Sequence, residues 1–494
     1  MSNIRVTYSG LISFAIRLLT VITGTVFILI LTRELTEVEF GTWGLISGIV
    51  IYATIINPLV TYWVTREVAR GIESGKTALF FSGISSVGGT GIFIIASFFI
   101  GTTSEAEYDV LLFSSILIIP IFLNNTLNAI NMGFKPQVVS YGLLVFEIVK
   151  IPAAFLFVYF INLGVYGAIW AIFFSYLASN LVLILYAKEK LKGKFEKSIV
   201  KNWLRLFWIP IYREFPSIFT LSDTVVFTIV TGSVGGVAYY TAARTIGFLV
   251  NHTRAFSTAL YPKLLEGGPK EYLQDNLNRL FYFAFPLMAF SIVFARPTLF
   301  ALNPIYEDVW LAVVLLTIRS FFTTINKMFI QSLQGIEKVD MQKDSRLKDY
   351  VKSKLTLYPT IELIRNGIYF SVLAAIFYIF INQTEAELVN YWALTGLIIE
   401  IPLFMYTYSL TKKSFPIVID KQVFIKYLLV SVVTFSFIHI LIEKYLLYVN
   451  RIFEFLPQVM IYTAFGIGLY FAITYLIDVK TRKLVKDIIN EIKK

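Results

Sequence analysis

The chain has 494 residues, 57% hydrophobic, 16% aromatic and only 15% charged, and its 43 Lys and Arg outnumber 32 Asp and Glu for a net charge of +11. A soluble domain carries roughly 25% charged residues. With a mean hydropathy of +0.71 this is the composition of an integral membrane protein, which excludes most soluble enzymes and nucleic-acid binders. The absence of cysteine removes disulfides, thiolate metal sites and cysteine nucleophiles, and His252 and His439 are too far apart in sequence for a metal-ligand spacing.

A hydrocarbon core of about 30 Å needs roughly 20 apolar residues of helix. On that ruler fourteen blocks follow one another, near 10–32, 41–63, 77–101, 109–131, 138–161, 164–186, 208–230, 234–262, 279–302, 309–334, 355–380, 386–411, 422–443 and 457–478. The first is long enough to span and has no small-residue cleavage site after it, so no cleavable leader is expected. The loops test the count, because Lys and Arg collect on the cytoplasmic side. With the N-terminus inside, the inner segments hold 30 basic residues and the outer loops only Arg33, Lys444 and Arg451. A miscounted span would invert every later loop, so the pattern predicts fourteen spans in the plasma membrane with both termini cytoplasmic.

Self-similarity divides the array. Gly41-Thr-Trp43-Gly-Leu, with Arg66 25 residues after Gly41, is matched by Gly236-Val-Ala-Tyr239-Tyr with Tyr261. Asp109-Val110 is matched by Asp308-Val309, and Glu147-Ile-Val-Lys150 by Glu362-Leu-Ile-Arg365. A duplication of six spans is parallel, because six is even, and parallel lobes place a central cavity near the midplane. The expected fold is therefore all-α, with an N-lobe over 1–186, a basic cytoplasmic linker over 187–207 and a C-lobe over 208–411. An extra helix pair over 422–478 and a basic amphipathic tail over 479–494 complete it.

Besides Arg279 at the inner edge of the ninth block, ten basic residues fall inside the blocks, and each charge at mid-bilayer costs at least about 2.5–3.5 kcal/mol on insertion scales. Lys426 and Arg296 lie near span ends and can snorkel. Glu147 with Lys150 and Glu362 with Arg365 are one turn apart and can pair. That leaves Arg17, Arg213, Arg244, Arg254, Arg319 and Lys327, against Glu214, Asp223 and Glu400. A water-filled cavity holding an anionic ligand would relieve the excess, so the six basic residues are the candidate anion-binding set. At 100° per residue Asn251 falls about 20° from Arg244, and Arg319, Asn326 and Lys327 share a polar stripe with Thr323. Asn124, Asn128 and Asn131 recur at i, i+4 and i+7. Asn124, Asn128, Asn251 and Asn326 either contact a glycan or hydrogen-bond between helices. Asp223, Glu214 and His252 are either coupling positions for sodium or protons, or charge-pairing and structural groups. No metal and no cofactor is expected. Asn382-Gln-Thr384 is a sequon in an outer loop.

Leu31-Thr-Arg-Glu-Leu-Thr-Glu-Val-Glu-Phe40-Gly41-Thr-Trp-Gly-Leu45, followed by Arg66-Glu-Val-Ala-Arg70, resembles the opening of the Wzx-type polysaccharide transporters. These belong to the multidrug/oligosaccharidyl-lipid/polysaccharide exporter superfamily, which includes the lipid II flippases. Gly236-Val-Ala-Tyr-Tyr240 through Tyr261-Pro262-Lys263, and Gln331-Ser-Leu-Gln334-Gly335, resemble the matching stretches of the second lobe. The resemblance covers about residues 1–411. It implies two six-helix lobes around a V-shaped cavity and alternating access. It also implies transfer of a polyprenyl- or dolichyl-(pyro)phosphate-linked oligosaccharide to the outer leaflet, which makes phosphate the anion expected at Arg17, Arg213, Arg244, Arg254, Arg319 and Lys327. Arg17 and Arg244 correspond, by helix and depth, to cavity arginines of the lipid II flippases, and 422–478 to a helix pair that forms a lipid-tail groove. The expected partners are that substrate and membrane lipids, with a monomer contacting glycan-assembly enzymes and no nucleic acid. The rivals are a multidrug antiporter of the same superfamily, disfavoured by the basic interior, and a membrane glycosyltransferase. The latter lacks the metal-binding carboxylate pair it needs in a sizeable outer loop, so the chain is read as a transporter rather than an enzyme.

Overall fold

A computed structural model describes residues 6–205, 207, 208, 210–212, 216, 219, 222–257, 271–336, 353–415, 417, 420–479, 481 and 482. The described residues are helical throughout, in eighteen α-helices joined by turns. These are α1 (Val6–Glu34), α2 (Glu37–Ala53), α3 (Pro58–Ala69), α4 (Gly75–Thr103), α5 (Tyr108–Ser114), α6 (Ile118–Met132), α7 (Gln137–Ala154), α8 (Gly164–Ala187) and α9 (Lys197–Arg205). They continue with α10 (Ser222–Thr231), α11 (Gly235–Gly247), α12 (Tyr272–Val293), α13 (Ala295–Leu302), α14 (Trp310–Gly335), α15 (Lys354–Ile379), α16 (Glu385–Ser414), α17 (Lys421–Tyr445) and α18 (Ile452–Ile477).

Among the described residues ten helical segments are long and apolar enough to cross a membrane, and eleven if the bent pair α2–α3 is one span. They fall on the third to sixth and the ninth to fourteenth expected blocks, with α2–α3 on the second. The first block lies on the 29-residue α1, and the seventh and eighth run into residues outside the described set. In such segments every backbone N–H and C=O is satisfied along its own helix, which is what makes helices the economical spanning form in hydrocarbon.

The chain packs as two compact units, residues 1–241 with 359–385, and residues 242–358 with 386–494. Residues 359–385 pack within the first unit. Asn366 Nδ2 donates there to Pro216 O at 3.4 Å and the Tyr369 hydroxyl to Asp223 at 3.1 Å.

In the first unit, α2 begins at a capping box. Glu39 N–H donates to the Thr36 hydroxyl at 3.3 Å while Thr36 N–H donates to the Glu39 carboxylate at 2.9 Å, satisfying two otherwise orphaned donors. Gly41 then lies against the carbonyl of Val234, and Gly44 against Thr241 and Val237. A methyl group at Gly41 would sit 2.0 Å from that oxygen, so the small residues let α2 meet the start of α11 at backbone distance. The α2–α3 bend of 63° falls at Thr54–Asn57, where Pro58 supplies no N–H to continue the ladder. Leu45, Ile49, Ala53, Phe93 and Phe122 form one buried cluster, and Val60, Val64, Leu127 and Trp203 a second.

The second unit is built on α12. Leu277, Phe281 and Phe285 pack with Phe321, Phe329 and Tyr427, while Phe294, Phe435, Ile438 and Phe455 form a further cluster. The α17–α18 pair is fastened to α12 by polar contacts as well as by rings. Tyr470 OH donates to Tyr282 O at 2.8 Å, and the Tyr282 and Thr474 hydroxyls are 3.4 Å apart. Just past the last span, Asp478 accepts from Tyr427 OH at 2.7 Å, from Lys426 Nζ at 3.0 Å and from the Thr481 hydroxyl at 2.9 Å. Lys426 is thus held in an ion pair, where the sequence suggested snorkelling, because Asp478 from the neighbouring helix reaches the same level.

Burial alone would raise the Asp478 pKa, but the hydrogen bonds from Tyr427, Lys426 and Thr481, with the Lys426 charge, hold it down at about 2. A depressed carboxylate stabilises the fold fully above its unfolded pKa of about 4 and loses that contribution as pH falls through the folded value. Thermal unfolding in detergent should therefore show a drop between roughly pH 4 and pH 2 that Asp478→Asn lacks. At neutral pH that variant should unfold at lower temperature than the parent.

Candidate functional site

Four of the expected phosphate-binding residues lie in the second unit, around the end of α11, the following turns and α14. The eighth block was expected as one continuous helix, but α11 ends at Gly247 and the chain continues as 3-10 turns over Leu249–Ser257. Three residues per turn in place of 3.6 shifts the phase of every side chain beyond the break, so the angular relation between Arg244 and Asn251 reckoned on an α-helix does not hold. Arg244 lies over the Phe248 ring at 5.1 Å. Gly247 packs on Leu316 and the Val313 carbonyl of α14, and further along the Thr324 hydroxyl donates to Asn251 Oδ1 at 3.0 Å. These two crossings run in the same direction, so Arg254 and Lys327, each three residues farther on, occupy one level of the seam, both half-buried. His252 beside them is exposed.

The polar residues of α14 face two neighbours, and one of these residues, Thr324, is outside the predicted stripe. Thr324 faces the 249–257 turns, whereas Arg319 and Asn326 face α16. The Arg319 guanidinium lies on Gly396, where a methyl group would sit 2.3 Å from Nη1. Asn326, 1% exposed, donates to Glu400 Oε1 at 3.2 Å and accepts from the Thr407 hydroxyl. Its amide is engaged on both ends in the α14–α16 seam. Gly396, Glu400 and Thr407 are the partners that sequence spacing did not single out for these residues. Gly396, a glycine in the interior of a long apolar helix, was the available signal of a close approach.

The first unit holds a carboxylate node. Asp223, at the start of α10 and 4% exposed, accepts from Tyr240 OH at 3.3 Å, Tyr369 OH at 3.1 Å and Thr224 N–H at 3.1 Å. Tyrosine hydroxyls from α11 and α15 therefore converge on one buried acid. Asn124 and Asn128 belong to an interhelical ladder. Asn124 Nδ2 donates to Ser179 Oγ at 3.0 Å and Asn180 Oδ1 at 2.9 Å, and Asn128 Nδ2 donates to Asn124 Oδ1 at 2.9 Å. Asn180 continues it to Pro120 O at 3.0 Å, and Asn131 to Leu183 O at 3.0 Å, tying α6 to α8.

The two i, i+3 charge pairs also form. Lys150 Nζ meets the Glu147 carboxylate on α7, which accepts in turn from the Thr23 hydroxyl of α1. Arg365 meets Glu362 at 2.8 Å on α15 and donates to Asn366 Oδ1 at 2.7 Å, and Asn366 reaches Pro216 O. Arg17 lies on α1, and Arg213 and Glu214 fall outside the described residues. Among the described residues no group of three or more His, Asp or Glu could hold a metal ion.

Removing one partner of a buried pair leaves an uncompensated charge, at a cost of about 3–5 kcal/mol, whereas an apolar pair of similar volume is often neutral. Glu147→Gln should therefore lower thermal stability strongly, and Glu147→Leu with Lys150→Met should recover most of it. Asn124→Leu should cost about 1–3 kcal/mol by leaving Ser179 and Asn180 short of a buried partner, as read from unfolding in detergent.

No protein-family model matches the chain, and no curated protein matches it by sequence. Solved structures do match. An inward-facing multidrug resistance MATE family transporter of the MOP superfamily aligns with TM-score 0.58 at 17% identity, over 82% of this chain and 99% of that one. An outward-facing structure of the same description gives 0.53 at 18% identity, over 82% and 94%. A MOP superfamily transporter from Pyrococcus furiosus Vc1, described as having a binding pocket of reverse polarity that suggests a different function, gives 0.52 at 17% identity, over 82% and 94%. The multi-pass helical fold is thus similar to that of MATE transporters of the MOP superfamily.

Proposed function

We propose that the protein is a flippase that carries a polyprenyl- or dolichyl-(pyro)phosphate-linked oligosaccharide from the cytoplasmic to the outer leaflet by alternating access. The observation that carries this reading is the gathering of four basic residues in the second unit, where Arg244, Arg254, Arg319 and Lys327 lie along adjacent segments. Guanidinium forks match phosphate oxygens in bidentate fashion, and in a low-dielectric site an anionic headgroup relieves the cost of holding such charges. The existence of both inward- and outward-facing structures of this fold supports the alternating-access part of the proposal. On this reading the chain has fourteen spans with cytoplasmic termini, a six-helix lobe over 1–186 and another over 208–411, and Arg17 and Arg213 belong to the phosphate-binding set. Asp223, between its two tyrosines, is the coupling position, for sodium or for a proton.

A multidrug antiporter for organic cations is the second reading, favoured by the description of the structural neighbours. The two part on charge: a cation site needs carboxylates in surplus. The Pyrococcus furiosus neighbour, described by the reverse polarity of its pocket, supports a change of function within the fold through such a difference.

Proteoliposomes loaded with a short-chain fluorescent glycan-diphosphate-polyprenol should show transfer that Arg17→Ala and Arg244→Ala each reduce. Loss of one charged hydrogen bond is worth about 1.5–3 kcal/mol, or roughly 10- to 100-fold. Export of an organic cation under an ion gradient, with no lipid transfer, would establish the antiporter instead.

A further inference from the structure

Residues 188–205 carry seven basic side chains, Lys188, Lys190, Lys192, Lys194, Lys197, Lys201 and Arg205, against Glu189 and Glu196. Their placement relative to a span is fixed by contacts within the first unit. Glu196 N–H donates to the Thr77 hydroxyl at 3.0 Å, Gly75 lies beneath the Lys190 carbonyl, and the Phe195 ring meets Phe80 edge-on at 4.9 Å. Gly75, Thr77 and Phe80 belong to the first six residues of α4, a 29-residue apolar helix. At 1.5 Å per residue the segment therefore packs within about 8 Å of the end of a membrane-crossing helix, at the depth where hydrocarbon gives way to headgroups.

At that level α9 is held by one face and shows another. Ile199 and Trp203 are buried, and Trp203 Nε1 donates to Glu67 Oε1 at 3.0 Å. Lys197, Lys201 and Arg205, spaced i, i+4 and i+8, are all exposed. On a helical projection they fall within about 80° of arc, with Ile199 and Trp203 on the far side. Leu204, Phe207 and Trp208 are exposed beside them, at 49%, 51% and 40%. A basic stripe flanked by exposed apolar and aromatic groups, at the depth of the headgroups, is the pattern of a helix lying in the membrane interface.

We infer that this face of α9 docks the phosphate headgroups of anionic phospholipids in the leaflet at the inner ends of α3 and α4. The occupant follows from the charge and the depth together: the ammonium and guanidinium groups reach headgroup phosphate while Leu204, Phe207 and Trp208 enter the acyl boundary. A soluble phosphate would satisfy the charges and leave the apolar flank in water. The inference is independent of the transported substrate.

The test is native mass spectrometry of the full chain, delipidated in detergent and offered phosphatidylglycerol or phosphatidylcholine. Each basic residue at an anionic surface favours binding by roughly fivefold. Lys197→Gln/Lys201→Gln/Arg205→Gln should therefore lower retention of phosphatidylglycerol at least about tenfold and leave phosphatidylcholine unchanged. The charge-conserving Lys197→Arg/Lys201→Arg/Arg205→Lys should retain phosphatidylglycerol like the parent, and raising salt to about 1 M should weaken its binding. Three results would overturn the inference: parental retention by the Gln variant, parallel loss of both lipids, and displacement of phosphatidylglycerol by millimolar inorganic pyrophosphate.

Discussion

A polar group that enters the hydrocarbon region is costly until it finds a partner, and much of the helix arrangement follows from that constraint. Water is absent as a competitor, so an unsatisfied amide or carboxylate costs several kcal/mol on the order of a whole packing contact. The first unit answers with side chains that bridge neighbours. Asn124 joins α6 to Ser179 and Asn180 of α8, Glu147 joins Lys150 and Thr23, and Asp223 gathers hydroxyls from α11 and α15. The second unit repeats the solution with Asn326, Glu400 and Thr407 between α14 and α16. Apolar packing between helices gives little preference over lipid contact, so these bridges select which helix lies beside which.

Two kinds of information separate in the sequence. Apolar length and the distribution of Lys and Arg are local properties, and most expected blocks accordingly correspond to helices that meet the length and hydropathy of a span. The pairing of Glu147 with Lys150 and of Glu362 with Arg365 was legible too, since one turn of helix sets that distance. What the pairs touch next was not: Thr23 lies 124 residues from Glu147, and no period relates Asn366 to Pro216. The candidate stripe on α14 shows the same limit. Spacing marks Arg319, Asn326 and Lys327 as neighbours on a helix, but which seam each enters depends on where α16 and the 249–257 turns lie. The break after Gly247 added an error of another sort, because a single residue leaving the α-helical register rotates all that follow.

Fold and substrate rest on different residues. The glycines of the opening motif meet their neighbours closely, Gly41 at the Val234 backbone and Gly44 at the Thr241 and Val237 side chains, and serve the close crossing of two helices. Similarity of the fold to MATE transporters therefore describes a scaffold, and one scaffold hosts unrelated cargoes. An anionic and a cationic cargo call for opposite charges on the side chains that meet them, and Arg244, Arg254, Arg319 and Lys327 are the proposed groups for an anion.

The Asp478 knot has a practical side for anyone handling the protein. The carboxylate that fastens α17 and α18 follows α18, and its Thr481 partner comes three residues later. A shortened version ending at Ile477 would keep every residue of α18 and discard its clasp, leaving Lys426 and Tyr427 without their acceptor. Affinity tags, fluorescent fusions and protease sites belong beyond residue 482, and a chain trimmed closer would be expected to lose its terminal helix pair to the detergent micelle before the rest unfolds.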